Sequence, residues 1–226
     1  MLRALVIVLS ALALSQMTSS AREIVDANNS FRVTVPDDWG QMASASSSVA
    51  LVVVSPRAAQ TGGNCNVSVT ADASSKGKTQ AEIDANASAE VNEQFWLAVL
   101  GATRLFKSTT IDSSGERIHR GRKVFQVKAT SEMANVPAKI TQVLNMHPLP
   151  GQIFVASCTA LAEKFAIEEA DFDAILASFD PSAELTVSLP RPGSFWGNGQ
   201  RPATARVAAP IVGRAADAGV RLAIRR

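Results

Sequence analysis

The stretch KITQVLNMHPLPGQIFVASCTA, residues 139–160, decides the fold. Two β-prone segments, 139–146 and 152–160, flank Pro148-Leu149-Pro150-Gly151, and Pro and Gly clustered between such runs predict a hairpin. A hairpin commits the chain to antiparallel pairing, since parallel neighbours need a long crossover. Just upstream, Phe125, Val127 and Ala129 alternate with Gln126 and Lys128, so residues 123–130 read as another strand with one buried face. Before it, residues 104–112 read as a strand that turns at Ser113-Ser114-Gly115 and resumes at Ile118. His119 and His147 fall in polar hairpin surroundings, which predicts solvated side chains at both positions.

Farther from that centre, the period changes. Ile83, Ala87, Val91, Phe95 and Val99 recur every four residues, predicting one long helix over residues 79–100 with Gly101 as its stop. Cys65, Val67, Val69 and Ala71 share one face of a strand, Val49 to Val54 form a continuous apolar run, and Phe31, Val33 and Val35 alternate with Arg32 and Thr34. Asp37-Asp38 reads as a turn and residues 22–29 as a polar lead-in. Beyond the central hairpin, Glu168, Glu169, Asp171 and Asp173 enter a last helix, where acidic groups complement the helix dipole. Phe172, Ile175, Leu176 and Phe179 give that helix an apolar stripe, and Asp180-Pro181 ends it. The expected fold class is α+β: a mostly antiparallel sheet with helices packed on it, in one domain over residues 30–180.

Both ends differ from this domain. Arg3 precedes an apolar stretch, residues 4–14, and Ser19-Ser20-Ala21 supplies small residues for cleavage, so residues 1–21 read as a signal peptide cut after Ala21. No other apolar run is long enough for a bilayer-spanning helix, and none is expected after cleavage. Residues 181–226 are rich in Pro and Arg and read as a disordered tail. They carry 7 Arg against 2 acidic groups, net +5, whereas residues 22–180 carry 14 Lys and Arg against 18 Asp and Glu, net −4. The tail's basic set includes Arg214, Arg221, Arg225 and Arg226, which suits an anionic surface.

With only 2 Cys in an exported chain, a Cys65–Cys158 disulfide is expected, and it requires the strands bearing them to lie side by side. Arg117, Arg120, Arg122 and Lys123 crowd one hairpin and form a candidate anion-binding set, or else a charged strand edge that resists aggregation. The 226 residues hold no Tyr, 3 Trp and 9 Phe, little material for stacking unpaired bases, so no nucleic-acid partner is expected. The common local signatures of hydrolases, nucleotide enzymes, zincins and dithiol redox proteins are absent. No cofactor, metal site or catalytic residue is therefore assigned.

Phe31-x-Val33-x-Val35-Pro36-x-x-Trp39 at the start of the domain and Ile175-Leu176-Ala177-Ser178-Phe179 at its end enclose strands, a long helix and a meander. Together these resemble the PsbP-like family, an α/β/α sandwich shared by the PsbP extrinsic protein, the Ran-binding nuclear import factor and exported bacterial proteins of the DcrB and LpqN type. The resemblance spans residues 30–180. It implies a binding or accessory protein and transfers no functional residue. The reading is thus an exported, periplasmic or secreted binding module with an unidentified protein or envelope component as partner. The alternatives are a hydrolase with a non-local site and an envelope-surface binder acting through the tail.

Overall fold

The computed structural model describes residues 20–44, 46–102 and 105–181. Residues 1–19 of the expected signal peptide and residues 182–226 of the expected tail, with Arg214, Arg221, Arg225 and Arg226, lie outside the described residues. Among the described residues ten strands run in chain order: β1 (Ala21–Asp26), β2 (Phe31–Pro36), β3 (Gly40–Met42), β4 (Val49–Val54), β5 (Asn64–Ala71), β6 (Phe106–His119), β7 (Arg122–Met133), β8 (Lys139–Leu149), β9 (Gln152–Leu161) and β10 (Asp180–Pro181). Four α-helices, α1 (Ala58–Thr61), α2 (Gln80–Glu90), α3 (Glu93–Gly101) and α4 (Phe165–Ser178), and a 3-10 turn at Ala162–Lys164 join them. One sheet has the order β3-β4-β5-β9-β8-β7-β6, a second has β1-β2-β10, and every pairing is antiparallel.

The large sheet separates two cores. Because successive side chains on a strand point to opposite faces, β9 sends Phe154, Ala156, Cys158 and Ala160 to one side and Ile153 and Val155 to the other. The first side meets α4 and the small sheet, where Phe31, Val33, Val35, Trp39, Phe172, Leu176 and Phe179 are buried. Phe179 is its hub, with ring centroids 5.6 Å from Phe31 and 6.0 Å from Phe154. On the opposite side Trp96 and Leu100 of α3 cover Phe125, Val127, Leu144 and Met146. Each such fully buried large side chain contributes about 1.5–3 kcal/mol of transfer free energy.

Four details depart from the sequence reading, each for a local reason. The polar lead-in is β1, an edge strand that alternates exposed and half-buried residues along β2. Its Arg22 donates to the carbonyls of Asp37 and Trp39, so it pins the predicted Asp37-Asp38 turn. The long helix is two helices, because Asn92 accepts from the Phe95 N–H and starts α3 as a new N-cap. That restart resets the phase and puts Trp96 and Leu100, rather than Phe95 and Val99, deepest. Ser113-Ser114-Gly115 is strand, not turn: β6 runs through to His119 with an irregularity between Ile111 and Ser113, and the chain reverses at Arg120-Gly121. Arg120 has φ 50° and Gly121 φ 77°, the paired left-handed conformation of a two-residue hairpin turn. The central hairpin is likewise tighter than expected, with Pro148 inside β8 and the reversal at Pro150-Gly151.

Candidate functional site

Asp180 and Pro181 leave α4, pair with Arg32 and Phe31 of β2, and bring the end of the domain beside the β6–β7 turn. Four groups hold it there. The His119 Nε2–H donates to the Phe179 carbonyl at 2.9 Å, Arg122 Nη1 donates to the Pro181 carbonyl at 2.6 Å, and the Asp180 carboxylate accepts from both Arg120 Nη1 at 2.8 Å and Arg32 Nε at 3.1 Å. The Arg120–Asp180 and Arg32–Asp180 pairs are partly exposed, so each contributes on the order of 1 kcal/mol or less.

Behind this clamp stands His147. It shares a face of β8 with Val143 and Leu149, is 4% exposed, and packs T-shaped against the rings of His119 and Phe179 at centroid distances of 6.0 and 5.0 Å. The expectation of a solvated His147 is therefore wrong, and His119 is half-buried. What buries residue 147 is Phe179, which lies far along the chain from β8. His147 Nε2 has no hydrogen-bond partner. Burial pushes the His147 pKa down to about 3, and the charges of His119, Arg117 and Arg122 act the same way.

A stability prediction follows with its sign. The ordinary histidine value is near 6.5 and the folded value is lower, so between about 6.5 and 3 the unfolded chain binds a proton that the folded chain does not. Stability then rises with pH across that window and is lost as pH falls through it. A shift of this size corresponds to an upper bound of about 4–5 kcal/mol over the whole window. His147→Phe, a neutral ring in the same aromatic setting, is expected to remove most of the slope between pH 7 and 5. Urea unfolding at successive pH values measures it, and an unchanged slope contradicts this account.

Of the proposed anion-binding set, Arg120, Arg122 and Lys123 line one recess beside the clamp. Arg120 and Arg122 belong to the clamp. Lys123 Nζ pairs with Glu116 at 2.9 Å and donates to Ser88, on the face toward α2. Arg117 is exposed on β6, a strand at the edge of the sheet. The acidic cluster entering α4 divides. Asp173 is exposed, Glu169 pairs with Lys128 at 2.7 Å, and Asp171 pairs with Arg57 at 2.6 Å.

Glu168 alone of that cluster is fully buried, at 0% exposure, and its environment is made of donors. Thr61 Oγ1 lies 2.7 Å and Ser55 Oγ 2.9 Å from Oε1, and Arg57 Nη2 lies 2.8 Å from Oε2. Burial raises its carboxyl pKa, but the hydrogen bonds from Arg57, Thr61 and Ser55 outweigh that and hold it below the ordinary value. The carboxylate thus ties the β4–α1–β5 connection to α4. Helix-dipole complementarity does not account for it.

Cys65 and Cys158 are direct cross-strand partners of β5 and β9, bonded with Cα atoms 4.0 Å apart. Among the described residues no cysteine is free, no group of three metal-ligating side chains is gathered, and no helix is long and apolar enough to cross a membrane.

This architecture has solved counterparts. The chain is similar to cyanobacterial PsbP (CyanoP) from Synechocystis sp. PCC 6803, with a TM-score of 0.53 at 14% identity over 74% of this chain and 96% of that one. It is also similar to LpqN of Mycobacterium tuberculosis, described as involved in cell envelope biogenesis, with a TM-score of 0.39 at 14% identity over 73% of this chain and 86% of that one. No family profile and no curated protein matches the sequence. The fold is PsbP-like, an α+β sandwich of antiparallel sheet and helices.

Proposed function

We propose that this PsbP-fold chain is an exported, non-enzymatic accessory protein whose domain is a binding module and whose basic tail contacts an anionic surface of the cell envelope. The observation that carries the non-enzymatic reading is where the candidate reactive groups are spent. His119 is tied to a backbone carbonyl, Glu168 is enclosed by Arg57, Ser55 and Thr61, and both sulfurs are in a disulfide. A hydrolase built on either histidine needs a hydroxyl nucleophile and a carboxylate within hydrogen-bond reach. His119 instead meets the Phe179 carbonyl, and the Asp180 carboxylate is engaged by two arginines. The disulfide supports export, because such bonds persist in oxidising compartments.

Cell fractionation with mass measurement of the exported chain tests the first half of this reading. The expected product begins near Arg22 and has no titratable thiol when unfolded without reductant. A full-length chain retained in the cytoplasm with two free thiols contradicts it. Deleting residues 182–226 while keeping Pro181, whose carbonyl belongs to the clamp, is expected to leave the thermal midpoint within about 2 °C, as segments outside a core contribute little. A larger loss means that the tail is a docked element.

A further inference from the structure

The clamp leaves a shallow recess, open to solvent, lined by His119, Arg120, Arg122, His147, Asp180 and Pro181, among others. Three properties of this recess point the same way. At its back is His147, buried, with Nε2 unpartnered, and a buried polar atom without a partner has forfeited its hydrogen bond to water unless something supplies one. Its charge is unbalanced: Arg32 and Arg120 share the single Asp180 carboxylate, and Arg122 is spent on a carbonyl, which neutralises nothing. Each guanidinium has five N–H donors and uses only one or two here, so planar donor pairs remain for an incoming group.

We propose that the mouth of this recess is an oxyanion site that takes a phosphate group, with Arg120 and Arg122 as its charged donors and His147 buried behind them. The ligand chemistry is a tetrahedral oxyanion, because arginine forks match its edges and the surrounding positive charge repels a metal cation. Arg117, His119 and Arg122 all act against a charge on His147, and a bound anion offsets that field, so phosphate binding is expected to draw the histidine toward its protonated form. Lys123 also lines the recess but pairs with Glu116, which makes it the lesser donor. The site is built from domain residues alone and stands apart from the tail.

The test is a titration of the full chain with inorganic phosphate at constant ionic strength, followed on the ring NMR signals of the 2 histidines in the sequence. Both sets of signals are expected to move and saturate in the millimolar range, and Arg122→Gln to weaken binding by about fivefold or more. Because Arg122 also holds Pro181, Arg122→Lys is the second variant; it keeps the charge and is expected to fall between the two. Lys139→Gln, on a surface pair with Glu132, is expected to leave the midpoint unchanged. Phosphatidylglycerol vesicles form the other arm. Movement with free phosphate identifies a soluble phosphate ligand, and movement with vesicles alone identifies a lipid headgroup. Linear drift that chloride reproduces, silence in both arms, or an unchanged midpoint in Arg122→Gln overturns the site. Loss of the response on deleting 182–226 also overturns it, whereas persistence after that deletion leaves it standing even if the tail binds no surface.

Discussion

Replacing Cys65 and Cys158 by alanine is expected to cost about 4–5 kcal/mol of unfolding free energy, which is a large share of the ordinary stability of a domain. The two cysteines are separated by 93 positions, so the bond closes a long loop in the unfolded chain and removes much of its conformational freedom. In the folded chain they are already neighbours in register on β5 and β9, so the double variant is expected to keep its structure. Urea unfolding of the variant and the oxidised protein measures the difference, and circular dichroism checks the fold. A loss below about 1 kcal/mol means the unfolded ensemble is already compact around these strands.

Glu168→Ala is expected to cost about 3–4 kcal/mol for a different reason. Arg57 is 39% exposed and can turn to water, but Ser55 and Thr61 are buried and lose the acceptor they share. Glu168→Gln keeps an acceptor for the two hydroxyls and gives up the charge, so its loss is expected to be about half as large. Because the folded carboxyl pKa lies below its unfolded value, this contribution is present above about pH 4.5 and is lost as pH falls further. Gly63→Ala probes the same knot from the other side. A Cβ there would lie 2.8 Å from the Glu168 carboxyl, which cannot swing away without breaking its hydrogen bonds. Equal stability of Glu168→Ala and the parent chain would mean the cluster is replaceable by water.

These two sites show how far local pattern reaches. The disulfide was legible because Cys65 sits on the apolar face of an alternating strand and two cysteines allow one pairing. The stripe Phe172, Ile175, Leu176 and Phe179 was legible from its period, and all four are buried. The same helical face also contains position 168, four residues before Phe172, so a glutamate at a core position was the available sign of a buried ion pair. Asn92 likewise announced a helix start inside an otherwise continuous stripe. The burial of His147 had no such sign. It depends on Phe179 arriving from the end of the domain, a contact between residues far apart in the chain. The turn at Arg120-Gly121 was hidden for a further reason: an edge strand tolerates Ser and Gly, and Asp112-Ser113-Ser114-Gly115 has the composition of a turn.

The central claim joins an acidic domain to a basic tail that seeks an anionic envelope surface. Residues 181–226 carry net +5 against net −4 for residues 22–180, and attraction of this kind is screened as the Debye length falls from about 10 Å at 0.1 M salt to about 3 Å at 1 M. Cosedimentation with anionic vesicles, comparing the exported chain with one ending at Pro181, measures it directly. The account predicts binding by the longer chain that fades with salt and is several-fold weaker or absent in the shorter one. Equal and salt-insensitive binding by both contradicts it.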